Sequence, residues 1–122
     1  MSKKLIYIVD DEEDILDILS MILSKGGYDF KTFLSPLDLL KEFSTKKPDA
    51  ILSDFRMPEM NGVELLKSVR STHQSLPFII ISAQIEKSQM IEAIDLGVTG
   101  VVEKPFKDQD LLAKLSKALN KA

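Results

Sequence analysis

Five short apolar runs punctuate the chain, and amphipathic stretches separate them. Leu5–Val9 (LIYIV) is continuously apolar and rich in β-branched residues, the pattern of a strand buried on both faces. From residue 14 to about residue 25, Ile15, Ile18, Leu19, Ile22 and Leu23 recur at helical spacing, and Gly26-Gly27 stops the helix. Residues 28–33 alternate Tyr28, Phe30 and Thr32 against Asp29 and Lys31, which predicts a half-buried strand near a sheet edge. Ser35-Pro36-Leu37-Asp38 supplies an N-cap, a proline at the first helical position and an acid at the third. The helix it opens should turn Leu37, Leu40 and Phe43 inward. Residues 50–53 form a third strand, residues 56–62 a loop punctuated by Pro58 and Asn61-Gly62, and residues 63–70 a third helix. Phe78–Ser82 (FIIIS) follows Pro77 as a fourth strand. A fourth helix covers about residues 87–96, with Gly97 as its left-handed cap. Gly100–Glu103 is a brief fifth strand. Asp108 caps a last helix with Leu111, Leu112, Leu115 and Leu119 on one face. Its early Asp108 and Asp110 and its late Lys117 and Lys121 suit the helix dipole.

Five βα units with apolar strands imply a parallel sheet covered by helices on both faces. Right-handed crossovers leave few topologies. The expected fold is α/β, a flavodoxin-like doubly wound (βα)5 domain with strand order 2-1-3-4-5. Five units are too few for a closed eight-stranded barrel. With no linker, repeat or low-complexity stretch, residues 1–122 read as a single domain.

Composition narrows the chemistry. The 122 residues are 44% hydrophobic and 29% charged, ordinary for a globular domain. No cysteine is present, which excludes disulfides, thiolate nucleophiles and Cys-ligated zinc. The single histidine, His73, sits in a polar turn and reads as exposed and inert. A net charge of −3 argues against a nucleic-acid partner. No apolar run approaches the ~20 residues that span a bilayer, and residues 1–4 do not make a signal peptide, so a cytoplasmic location is expected.

In such a sheet, ligands bind beyond the carboxyl ends of the strands. There the sequence places Asp10 and Asp11 after the first strand, Asp54 after the third, Ser82 at the end of the fourth and Lys104 after the fifth. Two unit charges ~5 Å apart repel by about 3 kcal/mol at an effective dielectric of ~20. A cation or a raised pKa must relieve three converging carboxylates. An all-oxygen donor set points to Mg²⁺ or Mn²⁺, which often complete their shells with phosphate. Phosphoryl transfer follows as the natural chemistry. Asp54, on a central strand, is best placed as the nucleophile, with Lys104 and Ser82 as donors to phosphoryl oxygens. Taken singly, each residue has a bland reading: an acidic helix start, a turn former, a strand-end hydroxyl, a surface lysine. Their joint placement at four strand ends disfavours those readings. Phe106 and the methionines read as packing residues.

With these residues in view, the chain resembles the receiver domains of two-component signalling over essentially its whole length. The segments Ile8-Val9-Asp10-Asp11-Glu12, residues 52–62 (LSDFRMPEMNG), Ile81-Ser82-Ala83 and Lys104-Pro105-Phe106 carry the resemblance. It implies a Mg²⁺ site formed by Asp10, Asp11, Asp54 and the backbone carbonyl of Arg56. It implies that Asp54 is the phosphoacceptor, that Ser82 is the switch hydroxyl, that Lys104 pairs with the phosphoryl group and that a cis bond precedes Pro105. Partners would be a sensor histidine kinase or a histidine phosphotransfer protein and a downstream protein target. The output face would comprise the fourth helix, fifth strand and fifth helix. Val101 stands where many receivers carry an aromatic lever. Arg56 and Gln84, each two residues beyond a site residue, are candidates for setting the phosphoryl lifetime.

The resemblance makes the chain a signalling phosphoacceptor that catalyses only its own phosphorylation and dephosphorylation. A small Mg²⁺-dependent aspartyl phosphohydrolase is the alternative. That class carries an Asp-x-Asp motif and a cap domain, whereas here the aspartates are adjacent and no cap fits. A flavodoxin-like FMN carrier would need hydroxyls where this chain has five acids.

Overall fold

The computed structural model describes residues 3–121. Its elements alternate along the chain: β1 (Leu5–Val9), α1 (Glu13–Lys25), β2 (Asp29–Phe33), α2 (Pro36–Phe43), β3 (Ala50–Asp54), α3 (Gly62–Arg70), β4 (Phe78–Ser82), α4 (Lys87–Asp95), β5 (Gly100–Glu103) and α5 (Asp108–Lys121). The five strands form one parallel sheet in the order β2-β1-β3-β4-β5, as the pattern predicts. Ile8 lies opposite Leu52, and Asp54 opposite Ile81, so the carboxyl ends of the central strands finish level.

Alternation along each strand feeds two cores. Tyr7, Val9, Ile51, Phe78 and Ile80 pack beneath α2, α3 and α4 with Leu39, Leu65, Leu66 and Val69. Ile6, Ile8, Leu52, Ile79 and Ile81 pack beneath α1 and α5 with Leu19, Leu23, Leu111 and Leu115. Burying each such aliphatic side chain is worth about 1.5–3 kcal/mol, which holds both helical layers on the sheet.

The helix ends follow their local chemistry. Ser35 Oγ accepts from the Leu37 N–H ahead of Pro36. Asn61 and Glu64 form a reciprocal capping box at α3. Gly27 and Gly97 take the positive φ that ends α1 and α4. Arg70, the last residue of α3, reaches across to the end of α4. Its guanidinium donates to the carbonyls of Leu96, Gly97 and His73 at 2.8–2.9 Å.

Several side chains depart from the sequence reading. Leu37 is half exposed, and Leu39 is buried in its place. Ile18 is likewise half exposed, and Leu16 faces the core. Strand β2 is an edge strand whose first four residues are exposed, so Phe30 and Thr32 do not form a buried face; Phe33 does the packing. α1 begins at Glu13, one residue early, and β3 extends to Asp54. His73 is not free in solvent: it is half-buried and lies edge-on to Phe43, ring centroids 4.9 Å apart. Met57 packs in the core, but Met21 is 64% exposed.

Candidate functional site

The acidic rim forms because β1 and β3 are neighbours that end together. Val9 pairs with Ser53, so the next residue on each strand, Asp10 and Asp54, emerges at the same level. Asp11 follows in the β1–α1 loop. The three side chains bring one carboxylate oxygen each within 4.8 Å of the others. Asp10 is the buried member, at 1% exposure, and Asp11 is exposed. Asp10 is held from two sides: its N–H donates to the Phe33 carbonyl, and its Oδ1 accepts from the Glu12 N–H at 2.9 Å.

Lys104 comes from beyond β5, with the Lys104–Pro105 peptide bond cis. Its Nζ donates to Asp54 Oδ1 at 3.1 Å and lies 3.7 Å from Asp10 Oδ2. The Lys104 N–H donates to the Ser82 carbonyl, which fixes the β5 end against β4. Ser82 is buried, and its Oγ accepts from the Gln84 N–H at 3.0 Å.

Crowding shows in the proton affinities. Burial, with the charges of Asp54 and Asp11 added, pushes Asp10 up to about 6, against the opposing pull of the Glu12 amide and Lys104. Burial also raises Asp54, partly offset by Lys104. Burial alone would lower Lys104, but the hydrogen bond and charge of Asp54 and the charge of Asp10 outweigh it and raise the ammonium's pKa. One lysine therefore does not neutralise the cluster. Three converging oxygens with no nitrogen or sulfur donor fit a hard divalent cation of the Mg²⁺ or Mn²⁺ kind.

Clefts flank the rim, two of them lined by Arg56 or Gln84. One, of about 450 Å³, is lined by Asp11, Arg56, Asn61, Glu86 and Gln89 among others. The other, of about 420 Å³, lies between β4, α4 and β5 and is lined by Ser82, Gln84, Met90 and Val101 among others. Arg56 and Gln84 thus line different clefts. Arg56 is exposed, with its guanidinium 5.8 Å from the Phe55 ring. Glu86 and Gln89 escape a sequence reading because they lie at the start of α4, and only the packing of α4 beside α3 brings them to the cleft that Asp11 lines.

A family model for the response regulator receiver domain matches residues 6–116. The chain belongs to this family. Similar curated proteins include the DNA-binding transcriptional regulator NtrC of Klebsiella pneumoniae, 34% identical over 98% of this chain and 26% of that protein. The alkaline phosphatase synthesis regulator PhoP of Bacillus subtilis is 32% identical over 100% of this chain and 50% of that protein. The receiver domain thus spans between a quarter and a half of the length of these relatives. Among solved structures, the chemotaxis protein CheY4 of Vibrio cholerae superposes with a TM-score of 0.89 at 28% identity, covering 96% of this chain and 99% of that one. A CheY-like receiver domain from Methanospirillum hungatei superposes with a TM-score of 0.94 at 27% identity, covering 98% and 96%. The chain is a response regulator receiver domain of two-component signalling, and the phosphohydrolase alternative is not favoured.

Proposed function

We propose that Asp54 accepts a phosphoryl group from a phosphohistidine on a sensor kinase or phosphotransfer protein, and that this modification switches a protein-binding face. The single observation that carries the proposal is the convergence of Asp10, Asp11 and Asp54 on one ion-sized space, with Lys104 bonded to Asp54. In the step, an Asp54 carboxylate oxygen forms the O–P bond as the donor's P–N bond breaks, and the departing ring nitrogen takes a proton from solvent. Lys104 Nζ, already at the acceptor oxygen, pairs with the charge on the transferred group. Ser82 Oγ offers a second donor from the adjacent strand end. Asp10, Asp11, Asp54 and the Arg56 carbonyl would hold Mg²⁺ or Mn²⁺, which when bound neutralises charge on the acids and the incoming phosphate. On this reading the same groups serve phosphorylation and its reversal, making the domain a self-modifying switch that would meet its kinase in the cytoplasm.

Arg56 lines the cleft beside Asp11 and would govern water at the acceptor; Gln84, in the neighbouring cleft, would act through the Ser82 loop. Both would set the phosphoryl lifetime. Output uses α4, β5 and α5. Val101 is too small to lever that face, so the loop after Ser82 carries the change, and Ser82→Ala should impair partner binding more than phosphorylation. Intact mass after acetyl phosphate and Mg²⁺ tests the core reading. The wild type should gain one phosphoryl group and Asp54→Ala none. Labelling of Asp54→Ala to the wild-type extent would refute the assignment.

A further inference from the structure

A buried hydroxyl beneath the acid rim has no part in the chemistry above. Ser53, on β3 immediately before Asp54, is fully buried, and its Oγ donates to the Asp54 carbonyl at 2.8 Å. Asp54 is the last residue of β3, and the strand ladder passes on through the Phe55 N–H to the Ile81 carbonyl. A partly buried carbonyl at a strand end calls for a donor. Ser53 supplies it from the same strand.

Gly62 hems in the same carbonyl from beside the Ser53 hydroxyl. A Cβ on Gly62 would stand 2.7 Å from the Asp54 carbonyl oxygen, 3.2 Å from the Phe55 Cα and 3.4 Å from Ser53 Oγ. The Gly62 N–H donates to the Phe55 carbonyl at 2.7 Å. So the first residue of α3 presses its bare Cα side against the peptide that carries the acceptor. Gly62 is needed for close approach, since its φ is not positive. Asp54 Oδ1, 3.1 Å from Lys104, depends on this peptide for its position.

We infer that Ser53 is a positioning residue for the acceptor: its hydroxyl, with the close approach of Gly62 beside it, locks the Asp54 peptide so that the carboxylate meets Lys104 and the incoming phosphorus. The inference rests on the phosphoacceptor reading of Asp54. Two changes disturb the same carbonyl from different directions. Ser53→Ala removes its donor; Gly62→Ala pushes a methyl into it.

The test follows the rate of phosphorylation by acetyl phosphate with Mg²⁺, at several donor concentrations, each variant well below its own melting temperature. Ser53→Ala and Gly62→Ala should each lower the maximal rate by about tenfold or more, because a small misplacement of a reacting group is costly. The donor concentration for half-maximal rate should stay near the wild-type value. Val69→Ala, which truncates a buried side chain elsewhere in α3, is the stability control. It should lower the melting temperature and leave the maximal rate unchanged. If Ser53→Ala does not fold, Gly62→Ala against Val69→Ala decides. Wild-type rates in both site variants, or an equal slowing in Val69→Ala, would overturn the role of Ser53. A wild type that takes no label would instead overturn the acceptor reading beneath it.

Discussion

The acid rim and the α4 flank are built on opposite terms. At the rim, the buried and half-buried groups are tied by hydrogen bonds: Asp10 to the Glu12 amide, Asp54 to Lys104, Ser82 to the Gln84 amide. The rim rests on central strands with exposures of zero or nearly so, and it stores unfavourable charge. α4 stores none and is held by little. Ala93 is its only buried residue, while Ile91 and Ile94 are more than half exposed. Its N-cap, Glu86, makes no capping bond. Its far end is fastened by Arg70. The difference separates a rigid chemical centre from an element free enough to move, and low local stability is what a moving element requires.

Four experiments press on that contrast. The largest effect should come from Lys104→Ala, which removes the cation nearest Asp54. Acetyl phosphate labelling should slow by 10²- to 10³-fold, the range for loss of one charge-stabilising donor, while hydrogen exchange in α4 stays at its wild-type rate.

Proton linkage comes next. Asp10 is pushed up to about 6 in the folded protein from its ordinary value of 3.8. The folded state therefore holds the proton that the unfolded chain has released. Stability contributed by Asp10 is greatest below about pH 4 and falls as pH rises towards 6, by up to about 3 kcal/mol. Denaturant unfolding of wild type against Asp10→Asn, without divalent cation, should show the variant gaining relative stability across that window. Millimolar Mg²⁺ should cancel the effect. A flat difference between the two proteins would show that Asp10 carries no such strain.

Arg70→Met addresses the other region. Three carbonyls lose a donor, and water replaces part of what is lost, so about 1–2 kcal/mol of stability should go. Amide exchange should quicken around Leu96–Val98 and stay unchanged at residues 51–54. The smallest effect belongs to Ile94→Lys. An exposed site on a loosely packed helix should lose less than ~0.5 kcal/mol by thermal melting, whereas Ala93→Leu, one residue earlier and fully buried, should lose about 1–3 kcal/mol by overpacking.

The sheet and the rim were legible because strand ends are marked by the close of an apolar run, reinforced on the first and third strands by an aspartate there. Leu5–Val9 and Phe78–Ser82 could not be read otherwise. Helix phase was less legible. α2 has eight residues and three leucines in four positions, so the spacing of Leu37 and Leu40 competes with that of Leu39, and only the sheet beneath decides between them. In α1 the same ambiguity pits Ile18 against Leu16. Phe30 misleads because an edge strand can expose residues that a central one would bury. Ser53 was invisible for another reason. A serine inside an apolar strand carries no sign of the carbonyl it serves.

Arg70 meets backbone carbonyls, and among the described residues no carboxylate lies within ion-pair range of it. Mobile ions weaken the attraction of opposite charges near the surface, such as exposed Lys31 and half-buried Glu42 at 2.9 Å, far more than they weaken a short bond to a neutral acceptor. Raising the ionic strength should thus slacken the β2–α2 side of the molecule and leave the α4 fastening almost as firm as before.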